Sequence, residues 1–506
     1  MTMTIKIDYL QEPKLQFGDY FEHEDAKTGL AEFGPFGKNI PGLHPSEIKL
    51  GFIGTRETIS GALEWIERCG SFVESENVEI EKGSENPKED DGLFQNISFP
   101  PMPALRRLRK ILNRDFIGFN KDSTFDCAFQ INQRWERIID SRELSSILEI
   151  EHKSERIWKL VDLIDDKLSS IAQNDPTPDI VIIALTPEIE EQADSVRISG
   201  NFFLNLRRAI KARTMQQKTP IPVQLLRTRT VEGKGDVQEV ATRTWNFCTA
   251  QYYKAGGVPW RPVSLEKDTC YFGVSFYVAQ DIDSTLTMRS SVAQAFDYLG
   301  QGLVLRGEKF EWDEDKLGRT AHLTEDAAHQ LIANALREYV KLQGVPPKRV
   351  VIHKTSEFWG KERGDYNEID GFYKGIDEVY KCEVDLVAIR KTGVRLIREG
   401  QYPPLRGTYF SIGDEQHFLY TMGFIPYLET SPVPYVPEPW QITQHIGGSS
   451  PKDIFREILA LTKMNVNNCG FADGTPITLS FSQKVGEIMK HIPDDGIALP
   501  KYSFYM

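Results

Sequence analysis

Cysteine is scarce: six residues in 506, and no two of them (Cys69, Cys127, Cys248, Cys270, Cys382, Cys469) lie close in sequence. That spacing excludes CxxC metal knuckles and a dense disulfide framework, and it reads as reduced, buried small hydrophobes. No run of about 18 apolar residues occurs, so no membrane span is expected. The opening segment MTMTIKIDYLQEPKL lacks the apolar core and small-residue cleavage site of an export signal, and a cytoplasmic protein is expected. GxxxxGK[ST], strand-borne GxGxxG and HExxH are all missing, which removes the fingerprints of nucleotide hydrolases, dinucleotide enzymes and zincins. Ser449-Ser-Pro-Lys452 and Lys391-Thr-Gly393 match pieces of a penicillin-binding signature, but in the wrong order and without its SDN element. Low-complexity tracts are absent too, and with hydrophobics at 40% and aromatics at 11% the chain is a folded one.

What is present is acidity with one exception. Lys and Arg number 60 against 73 Asp and Glu, a formal net charge of −13. Residues 201–260 reverse the sign, with ten Lys/Arg against three Asp/Glu. A basic island in an acidic protein has the form of a focused phosphate site, with a solvated basic helix face as the alternative. Residues 74–91 are the opposite extreme, eight acids against two lysines, and read as a solvated loop.

The length suits two to four domains at roughly 100–200 residues each. Residues 1–40 read as a short strand and an extended arm. From residue 41 strands and helices alternate. Ile48–Thr55 is a short apolar strand before the helical pattern of Glu57–Cys69, and Arg134–Ala172 reads as mostly helical. Asp179–Leu185 is a continuous apolar run of buried-strand type, followed by a basic helix at Leu204–Met215, a strand at Val223–Leu226 and a helix at Thr242–Tyr253. This is an α/β pattern of Rossmann-like, doubly wound type, which usually binds ligands outside the carboxyl ends of its strands. A break at Val258-Pro-Trp-Arg-Pro262 marks a domain boundary near residue 262. Beyond it a strand at Cys270–Val278, further strands, a helix at Glu325–Gln343 and a strand at Arg349–His353 suit a ribonuclease H-like layer, and Pro426–Pro439 reads as an extended loop.

The chemistry concentrates in the basic island. Arg207 and Lys211 are one helical turn apart and share a face. The next strand carries Gln224, and the next helix carries Asn246 and Lys254. Cations and neutral amides drawn from two helices and a strand can surround a terminal phosphate with charge-assisted hydrogen bonds.

These segments, Asn205-Leu-Arg-Arg-Ala-Ile-Lys-Ala-Arg-Thr-Met215, Thr219-Pro-Ile-Pro-Val-Gln224 and Asn246-Phe-Cys-Thr-Ala-Gln-Tyr-Tyr-Lys-Ala-Gly-Gly-Val-Pro-Trp260, resemble the MID domain of short prokaryotic Argonautes. The resemblance implies a MID domain at 41–262 and a PIWI domain at 263–506, without N-terminal and PAZ domains. It implies that Arg207, Lys211, Gln224, Asn246 and Lys254 hold the 5′-phosphate of a guide strand, with Arg208 and Arg213 near the guide backbone. The chain's ending, Tyr502-Ser-Phe-Tyr-Met506, resembles relatives whose terminal carboxylate reaches the pocket through a metal ion, which implies Mg2+ at Met506. Ala250 stands where other Argonautes have a second lysine.

Active PIWI domains hold two cations on acidic residues, to stabilise the attacking and leaving oxygens of a phosphodiester. Here the corresponding positions are Ser275, Thr355 and Gln483, none of which supplies the anionic oxygen a hard divalent cation prefers. The resemblance therefore implies a non-cutting, guide-binding subunit of a prokaryotic defence system. In that family a short guide RNA pairs with invading single-stranded DNA, and the complex switches on a partner with an APAZ region fused to a TIR or sirtuin-like NADase, or a nuclease, often through oligomerisation. An active metal-dependent nuclease using Asp281, Asp283 or Glu357 is the alternative, and an unrelated α/β ligand-binding protein is a third reading.

Overall fold

The computed structural model describes residues 4–76, 113–199, 202–235, 237–278, 287–399, 403–433, 435–493 and 495–506. Most of the acidic loop and the two aspartates at 281 and 283 lie outside the described residues. The chain's first strand, β1 (Ile5–Tyr9), belongs to the larger of two main sheets. The smaller sheet has four parallel strands, β2 (Glu47–Gly54), β3 (Ala128–Ile138), β4 (Ile180–Ala184) and β5 (Val223–Leu226), in the order β3-β2-β4-β5.

Strand β4 is buried along its whole length, as a continuous apolar run requires in a sheet covered on both faces. Its period of two divides the core. Ile180 and Ile182 pack with helices α1 (Arg56–Cys69) and α4 (Val240–Lys254), while Val181 and Ile183 pack with α2 (Lys153–Ala172) and α3 (Leu206–Thr214). The turn from β2 into α1 needs Gly54: a Cβ there would lie 2.5 Å from Thr58 Oγ1 and 2.9 Å from the Ala184 carbonyl oxygen. The helical expectation for residues 134–138 is corrected, because they finish the edge strand β3. Trp135 is buried, with its indole N–H donating to Pro176 O at 2.9 Å, while Arg134 is exposed and half-buried Arg137 donates to Ser170 Oγ of α2 at 2.8 Å, a mixture that imitates an amphipathic helix.

The larger sheet holds β6 (Thr269–Val278), β7 (Thr287–Phe296), β8 (Gly302–Trp312), β9 (Arg349–Lys354), β10 (Glu383–Lys391), β11 (Thr408–Ile412), β12 (Gln416–Leu419) and β13 (Trp440–Ile446). Its order is β1-β11-β12-β13-β10-β9-β6-β7-β8. The antiparallel meander β6-β7-β8 followed by β9 and β10 parallel to β6 is the ribonuclease H arrangement expected after residue 262. Helices α5 (Glu325–Gln343) and α6 (Glu368–Val379) cover one face; α7 (Pro451–Leu461) and α8 (Ile477–Met489) cover the other. Gly273 of β6 lets α8 approach closely, since a Cβ there would sit 1.8 Å from Thr478 O.

The first forty residues, expected as an arm, are built into both halves. β1 is the edge strand of the large sheet, and Leu15–Gln16 pairs with Arg261–Pro262 at the domain junction. Between them Glu12 accepts from Arg406 at 2.8 Å and Lys463 at 2.7 Å in a buried ion triad. No helix among the described residues is long and apolar enough to cross a membrane.

Candidate anion-binding site

Helix α3 starts at Asn205, whose side chain accepts from the Arg208 backbone N–H at 3.2 Å. From that start the helical period distributes four cations. Arg208 points to α8, 2.8 Å from Glu487, and Arg213 falls on the opposite side, 3.0 Å from Asp162 and 3.5 Å from Asp165 of α2. The two residues expected near a guide backbone are thus ion-paired within the protein. Arg207 and Lys211 share the remaining face, with Arg207 exposed and Lys211 buried.

Lys211 is the most unusual group in the molecule. It is 2% exposed, and its Nζ has no hydrogen-bond partner among the described residues. Burial first, then the charges of Arg207 and Lys254, hold its pKa well below the ordinary lysine value. Lys254, also 2% exposed, donates to Val223 O at 3.1 Å and to Gln224 Oε1 at 2.6 Å. Burial, and Arg207 after it, bring its pKa down to about 7. Gln224 is therefore the residue that orients Lys254, with its own Nε2 donating to Leu225 O at 3.0 Å. Two buried lysines beside Arg207, one of them without a hydrogen-bond partner, are a costly arrangement without an anion. With an oxyanion among them, each has a charge-assisted partner.

The sequence did not single out Gln251, which is fully buried with its Nε2 3.4 Å from Gln224 Oε1 and its Oε1 unpartnered. The signal was available: Gln251 lies three residues before Lys254, on the same face of α4. Asn246 does not join the cluster. Eight residues of helix, about 12 Å, separate it from Lys254; its amide donates to Gln238 at 2.8 Å and accepts from the Cys469 N–H at 2.8 Å.

The chain end lies close by. Tyr502 packs 6.3 Å from Tyr253 and 5.0 Å from Phe481, within the electrostatic reach of Arg207, and Met506 is buried in the same core. The cluster combines three basic side chains with no carboxylate side chain, a donor set that suits an oxyanion; the anionic oxygens a Mg2+ ion would need there are those of the Met506 terminus and of the bound anion itself. Nor does the site occupy the crevice usual for a doubly wound sheet. It lies beside Val223, the first residue of β5, whereas the carboxyl ends of the strands open on a separate cleft of about 790 Å3 lined by Thr55, Asp140, Thr186, Glu188, Thr228 and Glu232.

In the larger domain β6 and β9 pair in parallel as far as Gly273 opposite His353, and Ser275 and Thr355 each lie two residues further on. Helix α8 runs along β6, Thr478 against Gly273 and Gly486 against Tyr277, and Gln483 between them is exposed. None of the three positions carries a carboxylate. Glu357 is exposed nearby. Buried Glu368 is already engaged, 2.6 Å from Lys354 Nζ and 2.9 Å from His322 Nδ1. No group of three or more His, Cys, Asp or Glu side chains able to share a cation occurs among the described residues.

Among solved structures, the Clostridium butyricum Argonaute bound to a guide DNA and a 19-mer target DNA matches 99% of this chain, at a TM-score of 0.61 and 15% identity, over 55% of its own length. This is an Argonaute fold. Drosophila Piwi matches 99% of the chain at a TM-score of 0.56 and 12% identity, over 56% of its length, and A. aeolicus Argonaute matches 98% at 0.53 and 14%, over 54%. The chain thus spans about half the length of these Argonaute and Piwi structures. The parallel four-stranded half is the MID part of the Argonaute fold and the nine-stranded half the PIWI part. No protein-family model and no curated protein matches the sequence.

Proposed function

We propose that this protein binds the 5′-phosphate of a short guide strand and uses the guide to recognise a complementary nucleic acid. The observation that carries the reading is the buried, unpartnered ammonium of Lys211 beside Lys254 and Arg207. Such a pocket demands a compact, multiply charged anion, and a phosphate monoester at a strand's end is one. The strand beyond that phosphate is then read through shape and backbone charge, and base pairing supplies specificity.

The PIWI half is proposed to hold the guide–target duplex without cutting it, because the positions that match a cutting enzyme's carboxylates are Ser275, Thr355 and Gln483. A non-cutting recogniser acts by reporting. The reading extends to a prokaryotic defence complex in which guide RNA detects invading single-stranded DNA, and pairing activates a separate APAZ-bearing effector, a TIR or sirtuin-like NADase, with oligomerisation as the trigger. The likeness to short Argonautes supports that extension, in which a Mg2+ ion held by the Met506 carboxylate joins the guide phosphate at the pocket.

The test is binding of a labelled short RNA carrying a 5′-phosphate or a 5′-hydroxyl to wild type and to Lys211→Ala. A strong phosphate preference that the substitution removes is the expected result. Equal, weak, salt-sensitive binding in all four combinations would reduce the basic island to a surface patch. Incubation of the guided protein with complementary DNA and Mg2+ or Mn2+ tests the second half, and a discrete product would restore the nuclease reading.

A further inference from the structure

The outermost strand of the large sheet is unpaired and apolar on its edge. β1 pairs only with β11 among the described residues. Its residues are all exposed, with Ile5 at 54%, Ile7 at 65% and Tyr9 at 40%. The hydrogen bonds at its two ends fix which backbone groups face outward. Gly413 N donates to Thr4 O at 2.9 Å and Leu10 N donates to Gly407 O at 2.8 Å, so the even-numbered residues bond inward to β11. The N–H and C=O groups of Ile5, Ile7 and Tyr9 therefore point to the free edge, where Tyr9 N–H is held by Asp8 Oδ1 at 2.7 Å. Such an edge is a template for another strand.

The sequence of the strand selects the occupant. In Ile5-Lys6-Ile7-Asp8-Tyr9, antiparallel pairing about a two-fold axis at Ile7 sets Lys6 of each copy opposite Asp8 of the other. Because the odd residues are the outward-bonding ones, Lys6 and Asp8 fall at the non-bonded positions, where facing side chains come closest. Ile5, Ile7 and Tyr9 of the two copies then form one continuous apolar stripe. A strand guarded against self-pairing carries charge of one sign, whereas a Lys and an Asp two residues apart attract their own copy in this register. Both charges already reach the protein's own partners, Lys6 to Asp414 at 3.4 Å and Asp8 to Lys452, and both remain at the solvent edge.

We propose that two copies of this protein associate through β1, joining their nine-stranded sheets across a two-fold axis. An isologous contact of this kind closes on itself and stops at the dimer. A five-residue edge is small, and interfaces well below about 1,200 Å2 belong to transient complexes. The dimer is accordingly a weak, concentration-dependent one.

Sedimentation equilibrium of the full chain, freed of nucleic acid, from about 0.1 to 100 μM tests this, a range that spans weak association. Expected is a monomer at the low end and a dimer at the high end. Lys6→Asp and Asp8→Lys each place like charges across the axis and weaken the association at least tenfold, and the double reversal Lys6→Asp with Asp8→Lys restores it. Ile7→Pro, which removes an outward N–H at an edge position a folded sheet tolerates, also dissociates the dimer. A wild-type monomer throughout the range overturns the proposal. So does a dimer indifferent to both single reversals, which places the contact elsewhere, or failure of the double reversal to restore association while the fold is intact by circular dichroism.

Discussion

If the pocket takes a phosphate, binding must move protons, and the size of the effect follows from Lys254. Its pKa in the empty pocket is about 7. At pH 9 about 1% of empty pockets then carry a protonated Lys254, against about half at pH 7, while the complex with a phosphate dianion keeps the ammonium charged. The affinity increment due to the phosphate should therefore fall about fiftyfold between pH 7 and 9 from Lys254 alone, roughly 2.3 kcal/mol. Lys211, whose pKa burial also holds well below the ordinary lysine value, steepens the slope beyond one proton per pH unit when it too is charged in the complex. The second ionisation of the phosphate, near pH 6, works in the opposite direction and is finished before this window. The assay is calorimetric titration of a 5′-phosphorylated and a 5′-hydroxyl RNA at pH 6.5 to 9, in buffers of different ionisation enthalpy, so that proton uptake is counted directly. A phosphate increment unchanged from pH 7 to 9, with no proton uptake, would show that the lysines are charged in the empty pocket and refute the reasoning.

The same groups govern the stability of the free protein. Because Lys254 binds protons less readily folded than unfolded, its contribution to stability rises with pH between about 7 and 10.4 and is constant below; thermal melts across that range check the sign. Lys211→Met should stabilise the phosphate-free chain by about 1–3 kcal/mol, since an apolar side chain replaces a buried amine with no hydrogen-bond partner, while abolishing stabilisation by added phosphate. Glu12→Gln leaves Arg406 and Lys463 buried without their carboxylate and should cost about 3–5 kcal/mol in urea denaturation. The wild-type contribution of Glu12, whose pKa is lowered in the fold by Arg406 and Lys463 against the effect of burial, is lost as the pH falls below its ordinary range. Gly273→Ala should cost about 1–3 kcal/mol or more, because the Thr478 carbonyl cannot retreat without moving α8 off β6.

Much of this was legible in the sequence because long-range organisation leaves local marks. The run Ile180–Ala184 announced a strand buried on both faces, and the i,i+4 spacing of Arg207 and Lys211 announced a shared face. Arg134–Ile138 misled because an edge strand with solvated charges and one buried tryptophan has no clean period of two. Arg208 and Arg213 were legible only in part: the helix fixes their directions, but their partners Glu487 and Asp162 come from elsewhere in the chain. Asn246 shares a helix with Lys254, and only the distance along that helix separates their roles. Gln251 had the right spacing and was passed over because a neutral amide carries no charge to mark it. Ser275, Thr355 and Gln483 were placed by likeness alone, because the strand register and the close approach of α8 at Gly273 are encoded by no local pattern.

The unpaired Lys211 has a consequence for the life of the protein in the cell. An empty pocket with two buried lysines, one of them unpartnered, is a standing liability, and whatever anion fills it adds its binding free energy to the folded state alone. Copies without their ligand are the ones that open most often, and proteases act on opened chains. The pocket is then also a stabiliser on demand: wherever unfolding is followed by proteolysis, the filled protein outlasts the empty one.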